Sequence, residues 1–131
     1  MNTARQADGP ARILVVEDDA LIRMTVEAFL EGAGFDPIIV VGPHEALALD
    51  DDTLSSVDLV VTDMVMPGMS GAALAKALQA RRPNLPCLYM SAYPAEVLVA
   101  DGRLAPGQPA LCKPLSEAAL VATVQALIDK V

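Results

Sequence analysis

Four charged or hydroxylated groups stand at the ends of apolar runs. Glu17 and Asp18 close Ile13-Leu14-Val15-Val16, and Asp63 closes Leu59-Val60-Val61-Thr62. Ser91 closes the run that starts at Cys87, and Lys113 follows Ala110-Leu111-Cys112. Buried strands that each stop on such a group imply one rim where the acids and the lysine meet. Carboxylates crowded within a few ångströms repel one another and raise each other's pKa. A divalent cation removes that penalty. An all-oxygen ligand set suits Mg2+, which keeps several waters and commonly bridges to phosphate. A carboxylate is also a nucleophile toward phosphorus, giving an acyl phosphate. Mg2+ and an ammonium such as Lys113 would neutralise charge on the phosphoryl oxygens, and Ser91 would hydrogen-bond one of them.

Each group also has a plain reading. A single acid at a strand end serves equally well as a helix cap, and Asp19 takes that role. Lys113 alone reads as a surface lysine, and Ser91 alone as a loop cap. The combination is far more specific, because acid pair, acid, hydroxyl and lysine fall in order on four strand ends. His44, followed by Glu45, is a competing phosphoryl acceptor. It opens a short helix beside Pro43 and reads as an exposed surface residue.

The elements that must position these groups are legible as alternating patterns. Continuously apolar strands span residues 13–16, 37–41, 59–62, 87–91 and 110–112, as suits strands covered on both faces. Between them lie helical stripes. Ile22, Val26, Phe29 and Leu30 share one face, with Asp19 as N-cap and Gly34 near the stop. Gly71, Leu74, Ala75 and Leu78 share another after Ser70; Leu120, Val124, Leu127, Ile128 and Val131 form the last, opening at Ser116. Residues 45–49 read as a short second helix. The segment 94–109, with three prolines and two glycines, supports a turn or two of helix at 95–100 and then a loop. Alternation of this kind predicts an α/β fold, a doubly wound parallel sheet with helices on both faces. In such folds ligands sit at the carboxyl ends of the strands, where the acids fall.

A chain of 131 residues fits one domain, and 53% apolar with 20% charged residues indicates a folded one. The net charge of -8 argues against a nucleic-acid surface and against anionic membranes. No apolar segment approaches the roughly 20 residues needed to span a bilayer, and no signal peptide is evident, so a cytoplasmic location is expected. Cys87 and Cys112 lie in strand-like runs and are expected to be buried reduced thiols. No zinc-ligand spacing is present.

The sequence resembles the receiver domain of bacterial two-component response regulators. The resemblance covers residues 12–131 and rests on four stretches. They are Ile13-Leu14-Val15-Val16-Glu17-Asp18-Asp19, Asp63-Met64-Val65-Met66-Pro67-Gly68-Met69-Ser70-Gly71, Met90-Ser91-Ala92 and Lys113-Pro114. It implies a five-stranded flavodoxin-like sheet of order 2-1-3-4-5. It also implies Asp63 as phosphoacceptor, and Asp18, Asp63 and the Val65 carbonyl as Mg2+ ligands. Glu17 would hold a metal-bound water, Ser91 would be the switch hydroxyl and Lys113 the phosphate-binding lysine, with a cis peptide before Pro114. The phosphodonor would be a histidine kinase or histidine phosphotransfer protein, and the output a downstream protein target. The implied protein is a signalling module, not an enzyme.

The chain departs from the family pattern in three places. Glu17 stands where Asp is more common, Ala110 where an aromatic switch residue is usual, and the fourth crossover helix is short or degenerate. Two other readings compete. An Asp-nucleophile phosphohydrolase typically carries a second Asp at the place of Val65; a receiver-like module that is never phosphorylated has no need of the intact acids and lysine. A P-loop enzyme is excluded by the missing Gly-rich motif. Residues 1–11 are expected to form a disordered polar leader. The chain ends at the close of its last helix; a receiver excised from a larger protein would look the same, although Met1 and the polar leader favour a complete stand-alone receiver.

Overall fold

The computed structural model describes residues 9–130. Five strands, β1 (Arg12–Val16), β2 (Asp36–Val40), β3 (Leu59–Asp63), β4 (Cys87–Ser91) and β5 (Ala110–Cys112), form one sheet of order β2-β1-β3-β4-β5. Every pairing is parallel. The helices are α1 (Ala20–Gly32), α2 (Pro43–Leu47), α3 (Asp51–Ser55), α4 (Gly71–Arg81), α5 (Ala95–Ala100) and α6 (Glu117–Asp129).

Alternate residues of a strand point to opposite faces, and the two halves of the core follow that rule. Ile13, Val15, Leu59, Val61, Leu88 and Met90 pack with α1 and α6, through Val26, Leu30, Leu120, Val124 and Ile128. Leu14, Val16, Val60, Cys87 and Tyr89 pack on the other face with α2 to α5. Full cover on both faces holds for β3 and β4, whose residues are all buried, and for all of β1 but Arg12. The edge strands β2 and β5 are only half covered.

This edge position corrects the expectation for Cys112, which is exposed; Cys87 is buried, and both thiols are free. Burial pushes the Cys87 thiol up to about 11, so it stays protonated and unreactive at neutral pH. The leader also ends earlier than expected. Ala11 is buried, and its carbonyl accepts the Asp36 amide at 2.9 Å. The rest of the leader expectation concerns residues 1–8, outside the described residues, as does the place of Val131 in the last stripe.

The cap predicted at Asp19 forms, and Ser70 and Ser116, where the next stripes open, act as caps too, each accepting an amide three residues on. The second crossover differs from its reading. The helix begins at Pro43, ends at Leu47, and a second one starts after Asp50, whose carboxylate accepts the Thr53 amide at 2.7 Å. Arg81, the last residue of α4, and Arg82, which caps it, hold this broken segment. Arg81 donates to Leu47 O and Leu49 O, and Arg82 to Leu54 O and Val57 O. They satisfy the carbonyls that short helices leave unpaired at their C-termini. The fourth crossover is the six-residue α5 followed by a loop, as the prolines and glycines predict. Gly102 makes the turn possible with φ 75°, a conformation that side chains disfavour. The loop is not loose, because Leu98 and Leu104 are buried beneath it.

Candidate functional site

The sheet order brings the strand-end groups together. β3 lies between β1 and β4, and β4 between β3 and β5. Glu17, Asp18 and Asp63 each offer one oxygen to a cluster in which these atoms lie within 4.8 Å of one another. Glu17 is fully buried, Asp63 is 3% exposed and Asp18 is exposed. Lys113 reaches in from the end of β5. Its Nζ lies 2.9 Å from Glu17 Oε1 and 2.5 Å from Asp63 Oδ1. The contact with Asp63 is an ion pair without hydrogen-bond geometry, so Asp63 Oδ1 is buried with no hydrogen-bond partner. The peptide between Lys113 and Pro114 is cis, and the Lys113 amide donates to Ser91 O at 2.7 Å.

Burial pushes the Asp63 carboxyl up from 3.8 to about 7, and the adjacent Glu17 carboxylate adds to the rise, against the pull of Lys113. Burial also opposes charge on Glu17. Hydrogen bonds from Asp63, the Asp19 amide and Lys113 outweigh it and hold Glu17 below its ordinary value. Burial opposes the Lys113 charge too, but Asp63 and Glu17 outweigh it and raise its pKa. The cluster therefore favours a proton on Asp63 below about pH 7.

Ser91 is buried at the end of β4, on the strand next to Asp63. Its Oγ is turned into the β4–α5 loop, where it accepts the Tyr93 amide at 3.0 Å. Val65 follows Asp63 by two residues and its side chain is 63% exposed at the mouth of the site. His44 is exposed. Ala110 sits beside the buried Tyr89, its register partner on β4.

Two contributors escape a reading of the sequence for charged groups. Gly71 reads there as one more residue of a helix face. A Cβ at Gly71 would lie 2.0 Å from Asp63 O, so the glycine lets α4 start against the backbone at the end of β3. Its amide donates to Met64 O at 2.8 Å. Gly71→Ala is expected to cost about 1–3 kcal/mol, because backbone rather than a flexible side chain must yield. Thermal unfolding should show a loss of roughly 5–10 °C, and an unchanged melting temperature would show that the loop relaxes freely. The second is Arg23, whose guanidinium turns back from α1 onto the loop that carries Glu17 and Asp18.

The sequence matches the response regulator receiver domain family over residues 13–125. It is 37% identical over 119 residues to YrkP of Bacillus subtilis, an uncharacterized transcriptional regulatory protein, covering 91% of this chain and 50% of that one. It is 30% identical over 131 residues to the sensor kinase CckA of Brucella abortus, covering 97% of this chain and 13% of that one. The chain thus spans half or less of these two relatives. The chemotaxis protein CheY4 of Vibrio cholerae superposes with a TM-score of 0.77 at 26% identity, over 91% of this chain and 99% of that one. Sheet order, acid site and sequence agree, and the chain belongs to the response regulator receiver domain family of two-component signalling. Among the described residues, no helix is long and apolar enough to cross a membrane.

Proposed function

We propose that Asp63 accepts a phosphoryl group from the phosphohistidine of a histidine kinase or phosphotransfer protein. The observation that carries this reading is the buried Asp63 Oδ1, ion-paired with Lys113 and beside two further acids. An Asp63 oxygen forms a bond to phosphorus as the bond from phosphorus to the donor's imidazole nitrogen breaks. The electron pair stays on that nitrogen, which takes up a proton. Lys113 lies within reach of the incoming phosphoryl oxygens, and the Ser91 hydroxyl would exchange its loop contact for one of them.

The donor set fits Mg2+. Three carboxylates and a backbone carbonyl are hard oxygen ligands, and the cluster carries more negative charge than Lys113 alone offsets. Asp18, Asp63 and the Val65 carbonyl would hold the ion, with Glu17 acting through a water. Bound there, Mg2+ would draw off charge from the transferring phosphoryl group.

A phosphohydrolase reading lacks its second acid, since Val65 occupies that place. A module that is never phosphorylated would leave the buried acids and Lys113 without a use. The protein acts as a signalling module rather than a turnover enzyme, and a cytoplasmic setting belongs to the same reading. The kinase or phosphotransfer partner would dock where the apolar surface meets the site. Leu21 and Met24 are 73% and 65% exposed, and a groove of about 400 Å³ between α1 and Pro114-Leu115 ends at Lys113. The downstream target would read the same rim after phosphorylation.

Acetyl phosphate with Mg2+ is expected to raise the intact mass by one phosphoryl group, and chelation of Mg2+ should prevent it. Two additions, or one that ignores chelation, would contradict the single metal-dependent acceptor.

A further inference from the structure

The carboxylate of Asp18 is unlike the other site acids. It is exposed, whereas Glu17 is tied to Lys113 and to the Asp19 amide. The backbone beneath it is held from every side. The Glu17 amide donates to Val40 O, and the Asp19 carboxylate accepts the Ile22 amide. The remaining carbonyls are taken by one group. Arg23 Nη1 donates to Glu17 O at 3.1 Å and to Asp18 O at 3.0 Å.

We propose that Arg23 is a positioning residue for the metal site. By gripping the carbonyls of the two peptide links that flank Asp18, it fixes the direction in which the Asp18 carboxylate points. The inference rests on the Mg2+ reading above. Mg2+ demands near-ideal octahedral geometry and gives up water reluctantly, so a ligand aimed in advance binds it better than one that must be ordered on binding.

Arg23 also carries a positive charge close to the site, and that charge acts in the opposite direction. Like charges repel through a partly desolvated loop, so the guanidinium weakens cation binding. The two effects therefore predict opposite signs. If positioning dominates, removing Arg23 loosens Mg2+; if repulsion dominates, removing it tightens Mg2+. Positioning is expected to win, because the guanidinium is directed at carbonyl oxygens and its charge is partly offset by their dipoles and by three neighbouring acids. Lysine separates the two further. It keeps the charge, but its shorter stem and single ammonium do not reach the place where Arg23 Nη1 meets both carbonyls.

The test is titration of the metal-free protein with MgCl2, followed by calorimetry or amide chemical shifts, for the native chain, Arg23→Ala, Arg23→Lys and Arg23→Gln. Arg23→Ala and Arg23→Lys are both expected to weaken Mg2+ binding about 3- to 10-fold, with Arg23→Gln between them and the native protein. Melting in chelator reports the fold. The lysine variant should melt close to the native chain, which separates lost aim from lost structure. Tighter binding by Arg23→Ala with unchanged binding by Arg23→Lys would mean the arginine acts only through its charge and would overturn the proposal. Equal affinity in all four proteins would also overturn it. A native protein that fails to bind Mg2+ would instead sink the metal reading itself.

Discussion

Asp63→Asn is expected to abolish phosphorylation by acetyl phosphate, with no gain in intact mass where the native chain gains one phosphoryl group. The amide replaces the buried carboxylate whose Oδ1 faces Lys113 without a hydrogen bond. Glu17 does not replace it, because both of its oxygens are already engaged, by Lys113 and by the Asp19 amide. Asp18 is exposed, with no lysine beside it to steady the charge on phosphorus. Lys113→Ala should leave the acceptor in place but slow the reaction, by about 10²- to 10³-fold if it acts as a preorganised charge on the transferring group. Continued modification of Asp63→Asn would move the acceptor elsewhere, with exposed His44 the next residue to examine.

The metal-free protein is expected to become less stable as the pH rises from 5 to 8. Asp63 has a folded pKa raised from 3.8 to about 7. A raised folded pKa means the native state holds its proton more tightly than the unfolded chain. That contribution is fully present below the unfolded value and is lost as pH rises through about 7. Glu17 shifts the other way, so its contribution is present above its ordinary pKa and is lost only in acid. Lys113 is raised and titrates above this window. Between pH 5 and 8 the Asp63 proton therefore dominates the site, by on the order of 2–3 kcal/mol. Thermal or urea unfolding in chelator should show the fall. Asp63→Asn should flatten it relative to the native chain, which separates the site from the general repulsion of a chain with net charge -8. Added Mg2+ should restore the native chain most at pH 8, where the acids are ionised. A native stability that rises across this range, or a slope unchanged in Asp63→Asn, would show that the acids do not crowd one another.

Much of this molecule is written locally. The runs ending at Val16, Asp63 and Ser91 form strands because their neighbours are apolar on both sides. Asp19, Ser70 and Ser116 cap helices because a side-chain oxygen reaches an amide three residues on. The prolines and glycines after Tyr93 leave room for only a six-residue α5. Other features follow from partners far away in the chain. The second crossover breaks at Asp50 because Arg81 and Arg82, at the C-terminal end of α4 and some thirty residues on, supply donors for the carbonyls it exposes. Cys112 is exposed because β5 is an edge strand, a fact of sheet order rather than of the residues around it.

Residue type and short spacing are enough to set the fold class, the cap at Asp19 and the set of groups at the rim. How those groups act on one another depends on the assembled sheet. Placing β3 between β1 and β4 sets Asp63 against Glu17, and curling the chain past β5 brings in Lys113 across 96 residues of sequence. Electrostatic energy depends on distance and on exclusion of water, and neither exists until the strands are adjacent. For that reason the raised pKa of Asp63, the close approach at Gly71 and the grip of Arg23 belong to the folded molecule alone.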